Sequence, residues 1–120
     1  MLDLSNYPLI EARQNTQFFT DLTGPDAIMP VNDGSMTRAT WNIICSHRDL
    51  KMWTKWKMKP TASWRVTDCK RYFGLKGSGQ KLLTQFEELK AEHDRLLEDL
   101  AQLKAQQIRT QLISTLNSQQ

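Results

Sequence analysis

The sequence is poor in the residues that build metal sites and disulfide frameworks. It contains two cysteines and two histidines in 120 residues. The cysteines, Cys45 and Cys69, lie far apart and form no CxxC pair. We therefore expect no metal ligands, no cofactor and two free thiols, as in a reducing cytoplasm, with a Cys45–Cys69 disulfide as the alternative.

Long apolar runs are also absent, so no segment is expected to span a bilayer. The N-terminal sequence MLDLSNYPLI carries an acid and no basic residue, which is unlike a signal peptide. These features predict a cytoplasmic protein with no membrane partner. Hydrophobic residues make up 39% of the chain, a fraction that indicates a small core and favours oligomerisation.

No catalytic constellation is evident, and we predict that the protein is not an enzyme and has no catalytic residues. Cys45 and His47 are close in sequence, but no third group completes a nucleophilic site. The glycines Gly74 and Gly79 have the spacing of a Walker A loop, but Gln80 stands where that motif requires lysine. Nucleotide binding is therefore not expected.

What the sequence does have is a concentration of positive charge in its middle third. Residues 41–82 hold ten cations against Asp49 and Asp68, a net charge of +8. Residues 1–40 carry a net charge of −3 and residues 83–120 a net charge of −2. A polyanion is expected to bind where the cations are concentrated.

The chain divides by composition into four parts. Residues 1–36 are predicted to be a loop-rich N-terminal arm, with Ile28, Met29 and Val31 as an extended strap on the rest. Residues 37–79 are predicted to form a basic, tryptophan-containing head. A long amphipathic coiled-coil helix over 80–116 and a tail over 117–120 follow.

Within the head, residues 39–46 (ATWNIICS) have the β-branched and aromatic content of a strand. In the preferred interpretation, Ser46 caps a helix that Lys59-Pro60 ends. One continuous helix through this segment is the alternative. A second short helix is predicted with Thr67 as its N-cap and Gly74 as its end.

Heptad spacing is the clearest pattern in the C-terminal third. Leucines recur every seven residues from Leu82, with intervening residues at the four–three spacing of a coiled coil, and Asp99 and Lys104 are placed to attract between parallel strands. An ordinary amphipathic helix folded onto the head is the alternative. The predicted dimer seam consists of Leu82, Phe86, Leu89, His93, Leu96, Leu100 and Leu103.

The glycine-rich segment FGLKGSGQKLL precedes that helix and resembles helix-turn-helix DNA-binding domains in its pattern. Apolar residues come before Gly74, Leu75 follows it, and Ser78 is positioned to cap the next helix. The alternative is a purely structural turn that binds nothing. The sequence thus predicts a mostly α fold: a small helix-turn-helix or winged-helix-like head followed by one long coiled-coil helix.

The predicted function is nucleic-acid binding, to DNA rather than RNA, by a homodimeric protein involved in transcription regulation or associated with a genome. Trp41, Trp53 and Trp64 are assigned to the core, and Trp56 is free to stack on a base. The alternative is an adaptor or assembly factor that docks an acidic protein. The predicted binding residues are Lys55, Lys57, Lys59, Arg65, Lys70, Arg71, Lys76 and Lys81, with Gln80, Thr84 and Trp56.

Overall fold

The computed structural model of the chain describes residues 3–29 and 36–118. These residues are mostly helical, and a long helix forms the C-terminal end, which confirms the predicted fold class. They contain one isolated β-bridge, Ile28–Thr37, but no strand from which a wing could be built. The elements are a 3-10 turn Leu4–Asn6, α1 Pro8–Glu11, α2 Gln17–Thr23, α3 Arg38–Trp56, α4 Val66–Phe73 and α5 Gly79–Ser118.

Helix α3 covers the whole segment for which a strand followed by a helix was preferred, so that interpretation is wrong. The Thr37 hydroxyl accepts a hydrogen bond from the Thr40 N–H at 3.1 Å, which starts the helix ahead of the expected strand. The described residues offer no neighbouring strand to satisfy an extended backbone. The helix ends at Trp56, before Lys59-Pro60, because Lys57 adopts a left-handed conformation with φ of 54°.

Helix α4 begins two residues earlier than predicted. Arg65, which makes no side-chain cap, occupies the N-cap position in place of Thr67. Gly74 ends the helix as expected, with φ of 67°. A Cβ at this position would lie 2.8 Å from the Thr16 Cγ2, so the close approach of α2 also requires glycine.

The N-terminal segment differs from the predicted loop-rich arm, since Tyr7, Ile10 and Phe18 are almost completely buried. The buried Glu92 carboxylate of α5 accepts a hydrogen bond from the Ile10 N–H at 2.6 Å. Ile28, expected in an apolar strap, is 52% exposed, and Val31 lies outside the described residues.

The first half of α5 is the centre of the hydrophobic core. Phe86 and Leu89 are fully buried, and α1 and α3 both pack against this half of the helix. Five of the seven residues of the predicted dimer seam are therefore covered by the chain's own helices. The prediction that they bind a second copy is wrong for Leu82, Phe86, Leu89, His93 and Leu96.

We call the described residues up to Leu96 the head and residues 97–118 the stem. The stem projects from the head, and the molecule measures 66 × 30 × 24 Å. Leu100 and Leu103, the last two predicted seam residues, lie in the stem, where Leu100 is 44% exposed. In the part of the chain that the structure describes, no helix is both long and apolar enough to cross a bilayer.

Candidate nucleic-acid interface

The cations predicted to bind nucleic acid are not neutralised by the protein's own carboxylates. Arg48 is the only lysine or arginine of residues 41–82 that forms an ion pair within the described segments, and its partner is its neighbour Asp49. Seven of the eight predicted cations are exposed, and the eighth, Lys70, is half-buried. The complete predicted set without an ion pair is Lys55, Lys57, Lys59, Arg65, Lys70, Arg71, Lys76 and Lys81.

A basic and aromatic groove lies along the outward face of α3. Its open volume is about 360 Å³. Trp56 at its end is 63% exposed, and the Lys55 Nζ lies 6.0 Å from the centre of the Trp56 ring. An exposed indole beside lysines can stack on an unpaired base. The groove is lined by Ile44, His47, Arg48, Lys51, Met52, Lys55 and Trp56.

A second polar surface covers the first two turns of α5. Gln80, Lys81 and Thr84 are exposed there, and the Gln80 Nε2 donates a hydrogen bond to the Thr84 Oγ1 at 3.2 Å. The Gln85 Oε1 accepts a hydrogen bond from the Lys76 N–H at 3.0 Å, which holds the α4–α5 turn against this surface. The first turn of a helix also presents unpaired N–H groups that favour an anion.

A contact between α3 and α5 links the groove to the first turns of α5. The His47 Nε2, in the groove, lies 2.9 Å from the Glu87 Oε2, and the His47 ring stacks on Phe86 at 5.9 Å. Glu87 lies one turn after Thr84 on α5. We call the groove, the start of α5 and Lys76 together the basic face. Glu88 lies beside Thr84 and Gln85 on this face and forms no ion pair within the described segments.

Other predicted site residues lie around α4 or in the segment before it. Arg65 and Arg71 each line a hollow that also contains Asp68. The Lys57 Nζ lies 5.2 Å from the Trp53 ring centre, so Lys57 already makes a cation–π contact within the protein. Lys59 is exposed and lines none of these surfaces.

Sequence reasoning missed five of the seven groove residues, which are Ile44, His47, Arg48, Lys51 and Met52. The interpretation of residues 39–46 as a strand placed Ile44 on a different element from the other four. The single-helix alternative would have placed Ile44, Arg48 and Lys55 at spacings of four and seven, on one helical face.

The tryptophans also differ in part from the prediction. Trp53 and Trp64 pack against each other with ring centres 5.7 Å apart, as residues at the edge of the core. Trp41, assigned to the core, is instead 47% exposed on the outward face of α3. This correction follows from the helical phase of α3, because the buried residues Ala39, Ile43 and Leu50 fix the opposite face toward the core.

Both cysteines are free thiols, as predicted. Burial raises the pKa of the Cys69 thiol to about 11, so Cys69 is a poor nucleophile. The described segments hold no group of three or more potential metal-binding side chains. His93 is buried, and its Nε2 lies 2.8 Å from the Thr40 Oγ1, so it is a packing residue between α3 and α5.

No protein-family model matches the chain, and no curated protein and no solved structure is significantly similar to it. We therefore characterise the protein by its own structure, in which a helical head carries the basic face and a C-terminal stem projects from it.

Proposed function

We propose that the protein binds nucleic acid through the basic face of its head and associates with a second copy through its stem. The observation that carries the proposal is the set of unpaired cations around the groove and the start of α5. Lysines without carboxylate partners attract phosphates and release condensed counterions. This proposal includes action in the cytoplasm as a transcriptional or genome-associated factor, with DNA as the preferred target.

The expected binding mode is largely electrostatic. Lys55, Lys76 and Lys81 would contact phosphates around the two surfaces, whereas Gln80 and Thr84 would meet base edges in a groove. Trp56 would stack on a base in a single strand or at a distorted step. Binding by phosphate contacts alone would be strong at low salt and weak in sequence preference.

Fluorescence anisotropy with labelled duplex DNA, single-stranded DNA and RNA, titrated over a series of salt concentrations, tests the proposal. We expect the triple variant Lys55→Glu/Lys76→Glu/Lys81→Glu to lose at least about tenfold in affinity and to reduce the salt slope. The matched comparison uses single charge reversals, Lys81→Glu in the head and Lys104→Glu in the stem. Lys81→Glu should weaken binding, whereas Lys104→Glu should change the affinity by less than about threefold.

Two outcomes would contradict the proposal. One is a failure of the wild-type protein to bind any of the three probes at low salt. The other is an equal loss in the head and stem variants, which would mean that only net charge matters.

A second candidate function, docking of an acidic protein, is favoured by the apolar content of the same helix face. Trp41 and Ile44 are 47% and 50% exposed beside the cations of α3. An acidic amphipathic helix would match both its charge and its apolar side chains. A Trp41→Ala/Ile44→Ala variant that retains nucleic-acid binding but loses a co-purifying acidic partner would support this alternative.

A further inference from the structure

The stem carries an apolar stripe that continues the side of α5 on which Leu83 is buried in the head, rather than the side of Leu89 and Leu96. At about 100° per residue, the stripe lies about a third of a turn around the helix from the face that Leu89 and Leu96 bury in the head. Ile108, Leu112 and Leu116 are 52%, 60% and 61% exposed. The stripe consists of Leu97, Ala101, Ala105, Ile108, Leu112 and Leu116.

The spacing of the stripe suits a contact with another helix. Its six residues form three pairs separated by eleven positions, Leu97–Ile108, Ala101–Leu112 and Ala105–Leu116. An eleven-residue repeat drifts by only about 20° around a straight α-helix, so a second helix follows it with a slight right-handed twist. A second helix could therefore follow the stripe over its whole length of about 30 Å.

The packing of α3 on α5 in the head indicates the direction of a helix that would pack on the same side of the stem. Helix α3 runs antiparallel to α5, since Thr40 contacts His93 and His47 contacts Glu87. The stripe begins at Leu97, one turn beyond His93, and α3 begins too late in the chain to cover it. An antiparallel helix on the stem would continue the line that α3 follows on the head.

Charge favours a second copy in that same direction. The parallel pairing expected from Asp99 and Lys104 is compromised, because the Asp99 carboxylate already accepts a hydrogen bond from the Tyr7 hydroxyl at 2.5 Å. Glu98 and Arg109 border one edge of the stripe, and neither forms an ion pair in the described segments. In an antiparallel pair of stems, Glu98 of each copy lies within about one turn of Arg109 of the other.

We propose that two copies of this chain pair through the stripe, stem against stem and antiparallel, with the centre near Ala105. This inference specifies the face and direction of the self-association included in the proposed function. Ala101 then lies opposite Ile108 of the other copy, and Leu97 lies opposite Leu112. The contact is close to the lower limit of stable interfaces, about 1,000 Å², so dissociation in the micromolar range is expected.

The antiparallel arrangement places the two heads at opposite ends of a rod, about 50 Å apart along the stem axis. Two basic faces at that separation could contact sites more than one helical turn of DNA apart. A parallel pair would instead hold the heads side by side.

Cysteine cross-linking of full-length chains tests the direction. Leu97→Cys and Leu112→Cys are made separately and oxidised alone or after mixing, with the wild-type chain as the control for its own Cys45 and Cys69. The proposal predicts a 97–112 cross-link in the mixture, identified by mass spectrometry, and little cross-linking of either variant alone. Cross-linking of each variant to itself would show parallel stems and overturn the inference, while self-association itself would stand.

Light scattering over a concentration series tests the face with two adjacent substitutions. Ile108→Glu changes the stripe and should weaken the dimer at least about tenfold. Gln107→Glu adds the same charge about 100° away and should change dimerisation by less than about threefold. Circular dichroism checks that both variants keep their helix.

Two results would overturn the inference on the face. If both variants weakened the dimer equally, a different face would pair. A wild-type protein that stayed monomeric up to about 200 μM would remove self-association altogether. Nucleic-acid binding by the head, measured separately, would remain unaffected by either result.

Discussion

The two halves of α5 have similar leucine content but opposite surroundings. Leu89 in the head is fully buried, whereas Leu112 in the stem is 60% exposed on the same helix. The difference arises from the N-terminal segment and α3, whose contacts with the helix end within one turn of Leu96, at Asp99. Heptad spacing therefore does not determine which leucines of α5 are buried. That depends on how far the N-terminal segment and α3 extend along the helix.

The largest expected effect is a matched pair of leucine truncations. Leu89→Ala should lower the free energy of unfolding by about 2–5 kcal/mol, because it opens a cavity in the core. Leu112→Ala should change it by less than about 0.5 kcal/mol at concentrations where the protein is monomeric. Urea denaturation followed by circular dichroism measures both. Similar losses in both variants would mean that the stem is covered within one chain.

A smaller effect is expected at the boundary between the two regions. Tyr7 is buried, and its hydroxyl donates to the Asp99 carboxylate, which ties the N-terminal segment to the start of the stem. Tyr7→Phe removes only that hydrogen bond and should lower the free energy of unfolding by less than Leu89→Ala does. Asp99→Asn, which retains an acceptor, should cost less in the same urea experiment. If Tyr7→Phe were as stable as the wild type, the Tyr7–Asp99 hydrogen bond would not stabilise the junction between head and stem.

His93, the last buried polar residue before the stem, should make stability depend on pH. Burial lowers the pKa of His93, although Asp94 at 3.2 Å opposes this shift. As the pH falls below the ordinary histidine pKa of about 6.5, the unfolded chain binds a proton that the folded chain resists, so stability falls. We expect this pH dependence in the unfolding of the head, which contains His93, and not in the stem.

The measurement is urea unfolding of wild type and His93→Gln at a series of pH values from neutral to mildly acidic. The wild type should lose more stability than His93→Gln as the pH falls. An unchanged dependence in His93→Gln would contradict the assignment.

Part of this structure follows directly from local sequence. The uninterrupted run after Gly79 predicts the long helix, and Gly74 predicts the end of α4, because both signals act within one turn of the backbone. The free thiols and the exposed Trp56 also follow from sequence reasoning. The basic face was predicted in part, through Lys55, Lys76 and Lys81.

The rest depends on contacts between distant segments. Tyr7 bonds to Asp99 across ninety-two positions and Ile10 to Glu92 across eighty-two, and no local pattern shows such pairs. A sequence pattern without these contacts predicts an unstructured N-terminal segment. It also predicts a head of residues 37–79 that is too small to cover Leu82–Leu96. The seam was therefore assigned to a partner, although the chain itself covers it.

Hydrogen exchange along α5, read by mass spectrometry at submicromolar protein, tests the division between head and stem most directly. The account predicts strong protection for the amides of residues 82–96 and rapid exchange for residues 101–116, because an uncovered helical end frays. Addition of protein to high concentration should then slow exchange in the stem. Uniform protection along the whole helix at every concentration would contradict the account.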